Sequence, residues 1–129
     1  MRKFIPLFSE LYPKKTAAEI LALLKLMVKK EHYQLLVAYQ DKEPIGLAGL
    51  TPEILLYSGK TLRISNLYVQ EASRKLGVAA LLIKEAEAIA KKHAAQKLVL
   101  DSYLTNKKSQ QFYLKENFTI ETNHFVKNL

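Results

Sequence analysis

Between Val69 and Ala79 the chain reads Val-Gln-Glu-Ala-Ser-Arg-Lys-Leu-Gly-Val-Ala, a polar loop set between an apolar run and a helically periodic one. A loop whose successive amides point inward at a helix N-terminus is an anion site, because unsatisfied N–H groups and the positive end of the helix dipole face the ligand together. Gly77 permits close approach of the backbone, and Arg74 adds positive charge. The Gly-Lys-Ser/Thr ending of a nucleotide P-loop is missing, and so is the Gly-x-Gly-x-x-Gly of a dinucleotide fingerprint. A second ordered set lies downstream: Asn106-x-x-Ser109-x-x-Phe112-Tyr113-x-x-x-Asn117-Phe118. The chain has no cysteine, which excludes disulfides, thiolate metal sites and a thiol nucleophile. His32, His93 and His124 show no spacing with Asp or Glu that suggests a metal site.

These residues need elements to hold them. Thr16-Ala17-Ala18-Glu19 is a capping-box pattern and predicts a helix start. Ile20, Leu23, Leu24, Met27 and Val28 then form one apolar stripe, read as core. Tyr33 to Gln40 reads as a strand, Asp41-Lys42-Glu43 as a tight turn, and Pro44 to Thr51 as an antiparallel partner strand. After a loop containing Pro52 and Ser58-Gly59-Lys60, a third strand runs from about Thr61 to Gln70. Leu62 and Ile64 share one face of it but Leu67 and Val69 share the other, so the apolar phase slips near Ser65 and Asn66. A one-residue insertion, a β-bulge, would produce that slip.

Gly77 to about His93 is read as a helix with Ala79, Leu82, Ile83, Ala86, Ile89 and Ala90 on its core face. Lys97 to Leu104 follows as a buried strand, making a βαβ unit with parallel strands and a right-handed crossover. Asn106 to Glu116 is expected to be a last helix, and Phe118 to Leu129 one long strand or a hairpin turning near Asn123. The expected fold is α/β: one domain over 1–129, with a mixed sheet antiparallel in its N-terminal strands and parallel in its βαβ unit.

Composition narrows the classes. At 129 residues, 49% hydrophobic and 25% charged, with four Gly and four Pro, the chain is globular and large enough for a core without staples. No apolar run approaches the roughly 20 residues that span a bilayer, and a soluble, cytoplasmic protein without membrane partners is expected. The net charge of +8 comes from seventeen scattered Lys and three Arg, Arg2, Arg63 and Arg74. Base readout leans on bidentate Arg, so solvated Lys faces are preferred to a nucleic-acid surface, and the charge also suits a ligand with several phosphates.

Arg74-x-x-Gly77-x-Ala79 resembles the pyrophosphate-binding signature of the GNAT N-acetyltransferase superfamily, and the Asn106 to Phe118 pattern resembles that family's Asn-x-x-Ala-x-x-Phe-Tyr-x-x-x-Gly-Phe helix. The resemblance covers about Tyr33 to Leu129. It implies a sheet splayed at the bulge with helices on both faces, and acetyl-CoA as cosubstrate with no metal. The cofactor would be held by Leu67, Tyr68, Val69, Arg74, Lys75, Leu76, Gly77, Val78, Ala79, Asn106, Ser109 and Phe112. It further implies direct attack of a primary amine on the thioester, backbone amides near the bulge as oxyanion donors, and Tyr113 as the acid that protonates the departing thiolate.

Some positions depart from the pattern. Glu71 stands where a proline is frequent and puts negative charge near an anionic ligand; Asn117 replaces a glycine but tolerates a left-handed helix cap. Ser65 and Asn66 stand where many members carry a carboxylate base, leaving Glu121, His124, a water chain or an already neutral acceptor to do that work. The family's first strand is shortened or missing, so a second subunit, as in a homodimer, is expected to complete the acceptor side. An acyl-CoA-binding regulatory module of the same fold, and a basic nucleic-acid binder, are the competing readings.

Overall fold

The computed structural model describes all 129 residues, in two compact units, Met1–Val99 and Leu100–Leu129. The first begins with a 3-10 turn, Arg2–Phe4, that runs into helix α1 (Ile5–Leu11) with a proline in its first turn, where the missing N–H costs nothing. Leu7 and Phe8 of α1 are buried. Helix α2 (Ala17–Glu31) starts at the predicted cap: Thr16 Oγ1 accepts from the Glu19 amide at 3.1 Å, and its hydroxyl contacts the Glu19 carboxylate at 3.2 Å. It ends at His32 in the left-handed region.

Four strands follow, β1 (Gln34–Gln40), β2 (Glu43–Leu55), β3 (Gly59–Val69) and β4 (Lys97–Val99), in spatial order β1-β2-β3-β4. β1, β2 and β3 pair antiparallel; β3 and β4 pair parallel, with helix α3 (Val78–Lys92) between them in sequence. Asp41 and Lys42 both have positive φ, the two-residue turn whose twist suits a hairpin.

The sheet is covered on both faces because β2 is apolar on both. Leu47 joins Leu7, Phe8, Ile20, Leu24 and Tyr33 beneath α1 and α2, while the next residue, Ala48, packs with Val69 and Leu82 beneath α3. On α3 the expected core face is the one buried, with Leu82, Ile83, Ala86 and Ala90 inside. The α2 stripe is narrower than expected: Ile20 and Leu24 are buried and Met27 packs against them, but Leu23 and Val28 are exposed. α2 lies on a single sheet face, which one tight row suffices to cover.

The bulge is present. Gly49 pairs with Asn66 but Leu50 pairs with Ile64, leaving Ser65 as the extra residue. Residues directly opposite in a ladder share a face, so Ile64 lies with Leu50, and Leu67 with Ala48, all toward α3; the slip in the sequence is undone by one inserted residue. β2 runs past the expected end at Thr51, through Pro52 to Leu55. β1 stops at Gln34 opposite Leu50, so Pro52 has a ladder only with β3 and its missing N–H breaks no pairing on the other side.

Two expectations at the C-terminal side are corrected. β4 is three residues long instead of extending from Lys97 to Leu104. Residues 118–129 form neither a strand nor a hairpin, and the whole stretch from Thr119 onward is exposed. The second unit is organised by helix α4 (Lys107–Lys115).

Leu47 is fully buried and Leu56, at the β2–β3 tip, fully exposed. Leu47→Ala is expected to cost about 2–5 kcal/mol in urea unfolding, and Leu56→Ala less than about 0.5 kcal/mol.

Candidate active site

At the C-terminal end of β3 the chain turns through a 3-10 turn, Glu71–Ser73, into the loop that precedes α3. Gln70 anchors the turn by donating its amide to the Ile45 carbonyl at 2.8 Å, and Ser73 is buried. The Arg74 side chain folds back over the strand end: its Nε donates to the Val69 carbonyl at 3.0 Å, and its guanidinium lies 5.6 Å from the Tyr68 ring centroid. Lys75 and Gly77 both take positive φ, 75° and 78°. The first bond of α3 runs from the Leu81 amide to the Gly77 carbonyl, so helix geometry gives the amides of Val78, Ala79 and Ala80 no acceptor one turn back. A Cβ at residue 77 would meet nothing within 4 Å. Glycine is there for its backbone angle, and amides without acceptors at the start of a helix are the kind of donors that can receive an anion.

Leu67, Tyr68 and Val69 use their side chains in the two cores, Tyr68 toward α1 and α2, Leu67 and Val69 toward α3. What they can offer a ligand is backbone. The parallel ladder ends at Arg63 opposite Val99, two residues before the bulge, so β2 is the sheet neighbour of Asn66 to Val69.

The bulge is held by polar contacts that the sequence did not disclose. Tyr33 donates its hydroxyl to Asn66 Oδ1 at 2.6 Å, and Asn66 Nδ2 donates to the Tyr12 hydroxyl at 2.5 Å. Gly49 sits opposite Asn66, and a Cβ there would collide with the Tyr33 hydroxyl and Asn66 Oδ1. Ser65 itself is tied to Thr51 through their hydroxyls, 2.8 Å apart. Burial, reinforced by Tyr12, pushes the Tyr33 phenol well above its ordinary value, so it stays a donor. Residues 12, 33 and 66 are distant in sequence, and no short-range spacing signals their meeting.

Next to this network is a cavity of about 320 Å³ lined by Lys30, Glu31 and His32 from the end of α2, Thr51, Pro52 and Glu53 from β2, and Arg63 and Ser65 from β3. Arg63 Nε donates to Glu53 Oε1 at 2.7 Å, both side chains being about 70% buried. Glu53 lies diagonally across the ladder from Arg63. That register exists because β2 continues through Pro52, which a local pattern marks as loop.

In the second unit Asn106 caps α4, its Oδ1 accepting from the Ser109 amide at 3.1 Å. The helix closes in a Schellman motif: Phe118 N–H to the Tyr113 carbonyl, Asn117 N–H to the Leu114 carbonyl, and Asn117 at φ 70°. Asn117 therefore takes the left-handed position expected of it. The Tyr113 ring lies edge-on between Phe112 and Phe118, at 5.6 and 5.9 Å, and burial raises its phenol above the ordinary value. His124 Nδ1 is 3.8 Å from Asp101 Oδ2, with both side chains largely exposed. No group of three or more His, Cys, Asp or Glu is placed to hold a metal, and no helix is long and apolar enough to cross a membrane.

The chain matches the Acetyltransferase (GNAT) family over residues 1–118 and belongs to that family. No curated protein matches it at a comparable level. Among solved structures, an aminoglycoside 6'-N-acetyltransferase, AAC(6')-IG, from Acinetobacter haemolyticus is 22% identical at a TM-score of 0.80, covering 100% of this chain and 95% of that one. The aminoglycoside N-acetyltransferase AAC(6')-Iy, in complex with CoA, is 20% identical with a TM-score of 0.85 over 97% and 86% of the two chains. A ribosomal-protein-alanine N-acetyltransferase from Brucella melitensis biovar Abortus 2308 is 17% identical with a TM-score of 0.79 over 98% and 91%. The shared feature is the fold: a mixed α/β sheet with helices on both faces.

A phenol whose folded-state pKa is raised contributes stability that is complete below its unfolded value, about 10, and is lost as pH rises beyond it. Urea midpoints are therefore expected to fall above pH 10, and Tyr33→Phe to flatten that fall while lowering stability at pH 8.

Proposed function

We propose that the chain is an N-acetyltransferase that moves the acetyl group of acetyl-CoA onto a primary amine, residues 1–129 acting as one domain. The observation that carries this reading is the bulge at Ser65, with its parallel neighbour ending just before it. A strand that leaves its ladder there has backbone donors to turn toward a reacting carbonyl, and at its far end lies the Arg74 loop, whose amides and charge suit a pyrophosphate.

Acetyl-CoA supplies the acetyl group as a thioester. Arg74 and the amides from Lys75 to Ala79 hold its phosphates, and the backbone of Leu67, Tyr68 and Val69 orients its arm. Asn106, Ser109 and Phe112 contribute from α4. Amides at the bulge stabilise negative charge on the carbonyl oxygen as the amine nitrogen forms its bond to carbon and the carbon–sulfur bond breaks. Tyr113, kept protonated by burial, gives its hydroxyl proton to the departing sulfur. The proton lost by the amine goes to solvent or to a base, and CoA leaves as the free thiol. Asn66 and Ser65 are committed to Tyr12, Tyr33 and Thr51 and do not titrate, an observation that favours the second reading, an acyl-CoA-binding module of low turnover.

Calorimetric titration of acetyl-CoA separates these from any reading without the cofactor: wild type is expected to bind, and Arg74→Glu to lose at least tenfold in affinity as one charged contact becomes repulsion. Since the chain lacks cysteine, every thiol that appears during turnover comes from CoA. Tyr113→Phe is expected to lower kcat by about a hundredfold with acetyl-CoA affinity nearly unchanged. Binding by both proteins with no turnover on any amine would select the regulatory module.

A further inference from the structure

A ladder fixes the peptide planes of a strand through its hydrogen bonds, and at a bulge the extra residue is left unpaired and the ladder is disrupted. Donors that serve an oxyanion must stand about 2.7–3.1 Å from the place that oxygen will occupy, so something besides the ladder has to hold the backbone here. The holding groups are side chains. Asn66, next to the inserted Ser65, has its carboxamide engaged at both ends: Oδ1 accepts from the Tyr33 hydroxyl at 2.6 Å, and Nδ2 donates to the Tyr12 hydroxyl at 2.5 Å. A planar amide bonded through its oxygen and its nitrogen cannot turn without breaking one of the two bonds. Each phenol is rooted at a helix end. Tyr12 donates its amide to the Phe8 carbonyl of α1 at 2.8 Å, and Tyr33 donates its amide to the Met27 carbonyl of α2 at 3.3 Å. Tyr33 is buried in the core beneath those helices, where a hydrogen bond is stronger than in water. Burial also keeps its phenol protonated, so it serves as a donor rather than as an acid. Gly49 gives independent support. It stands opposite Asn66 and, unlike Gly59 and Gly77, has no positive φ, so its backbone angle does not account for its type. Glycine inside a strand weakens it and often marks the close approach of another group. A Cβ at residue 49 would collide with the Tyr33 hydroxyl and Asn66 Oδ1, so the missing side chain keeps open the path of that one hydrogen bond.

Resting on the acetyl-transfer reading above, we propose that Tyr33 is a positioning residue that acts through Asn66: its hydroxyl fixes the Asn66 carboxamide, and with it the direction of the bulge amides toward the thioester carbonyl. Tyr12 fixes the other end of the same carboxamide, and Gly49 leaves the room for it. None of the three makes or breaks a bond in the reaction. Their effect falls on the polarisation of the carbonyl and not on the hold of the cofactor, whose phosphates are assigned to the Arg74 loop.

The test is difference infrared spectroscopy of acetyl-CoA, labelled with carbon-13 at its carbonyl carbon and bound to the 129-residue chain. No acceptor amine is needed. Hydrogen bonds to the carbonyl oxygen weaken the carbon–oxygen double bond, so the bound stretch is expected at lower frequency than that of free acetyl-CoA. Tyr33→Phe should lose about half of that shift or more, with acetyl-CoA affinity by calorimetry within about threefold of wild type, because misdirected bulge donors leave the phosphate contacts intact. Tyr12→Phe should reduce the shift in the same direction and serves as the readout if Tyr33→Phe does not fold. Ala90→Gly is the control for stability alone. Ala90 is buried near the far end of α3, about 20 Å along the helix from Gly77, and the substitution lowers the urea midpoint through helix propensity and a lost methyl. It should keep the full shift. An unchanged shift in Tyr33→Phe, or in Tyr12→Phe where that is the readout, would overturn the proposal. So would a loss of shift shared by Ala90→Gly, or a loss of affinity in step with the shift. Binding by wild type with no shift at all would overturn it as well, while leaving acetyl-CoA recognition in place. Absence of acetyl-CoA binding by wild type would overturn the acetyl-transfer reading, and this assignment with it.

Discussion

One residue inserted into β3 sets the geometry on which everything else rests. A strand exposes alternate residues to opposite faces, so a single extra residue exchanges the faces of all that follows. Here Ser65 is that residue. Ile64 before it and Leu67 after it thereby face α3 together, although they are three positions apart, and Asn66 faces the opposite layer, between Tyr12 and Tyr33. Without the bulge the apolar residues on one side of position 65 would point into the wrong layer. The interruption is fixed from both ends: Thr51 holds Ser65, and two phenols from the helical layer hold Asn66.

Much of the architecture could be read from local patterns because local forces dictate it. The Thr16 cap, the α3 core face and the β1–β2 turn each depend on contacts within a few residues. Even the bulge left a trace, since burial requires Leu62, Ile64, Leu67 and Val69 to share a layer. The network around Asn66 could not be read in this way, because Tyr12, Tyr33 and Gly49 meet it only through tertiary packing. Helix α1 has little local signature beyond Pro6 in its first turn, since Leu7 and Phe8 are buried only by tertiary packing. In the second unit the apolar residues of the last stretch suggested strands, but propensity alone forms no strand where no ladder is made.

The site residues divide by what their surroundings ask of them. Gly77 stands at an exposed loop where its left-handed backbone angle accounts for its type, and Arg74 folds back from the same loop onto the Val69 carbonyl and the Tyr68 ring. Asn106 and Asn117 have complete structural explanations as the caps of α4, and their place in a family pattern is partly a record of how that helix is closed. Tyr113 is bound into the same closure through its carbonyl and its ring, which ties the rigidity of the phenol to the helix end.

The sheet is also staggered. β1 lies beside β2 only up to Leu50, and β4 lies beside β3 only from Thr61 to Arg63, so the two outer strands flank different halves of the central hairpin and change over at the bulge. The half bearing the Arg74 loop and the half bearing Glu53 and Arg63 thus have different flanking strands and share few neighbours. Substitutions in separate neighbourhoods tend to combine additively. A lineage built on this plan could alter the half beyond the bulge with little disturbance to the loop that precedes α3.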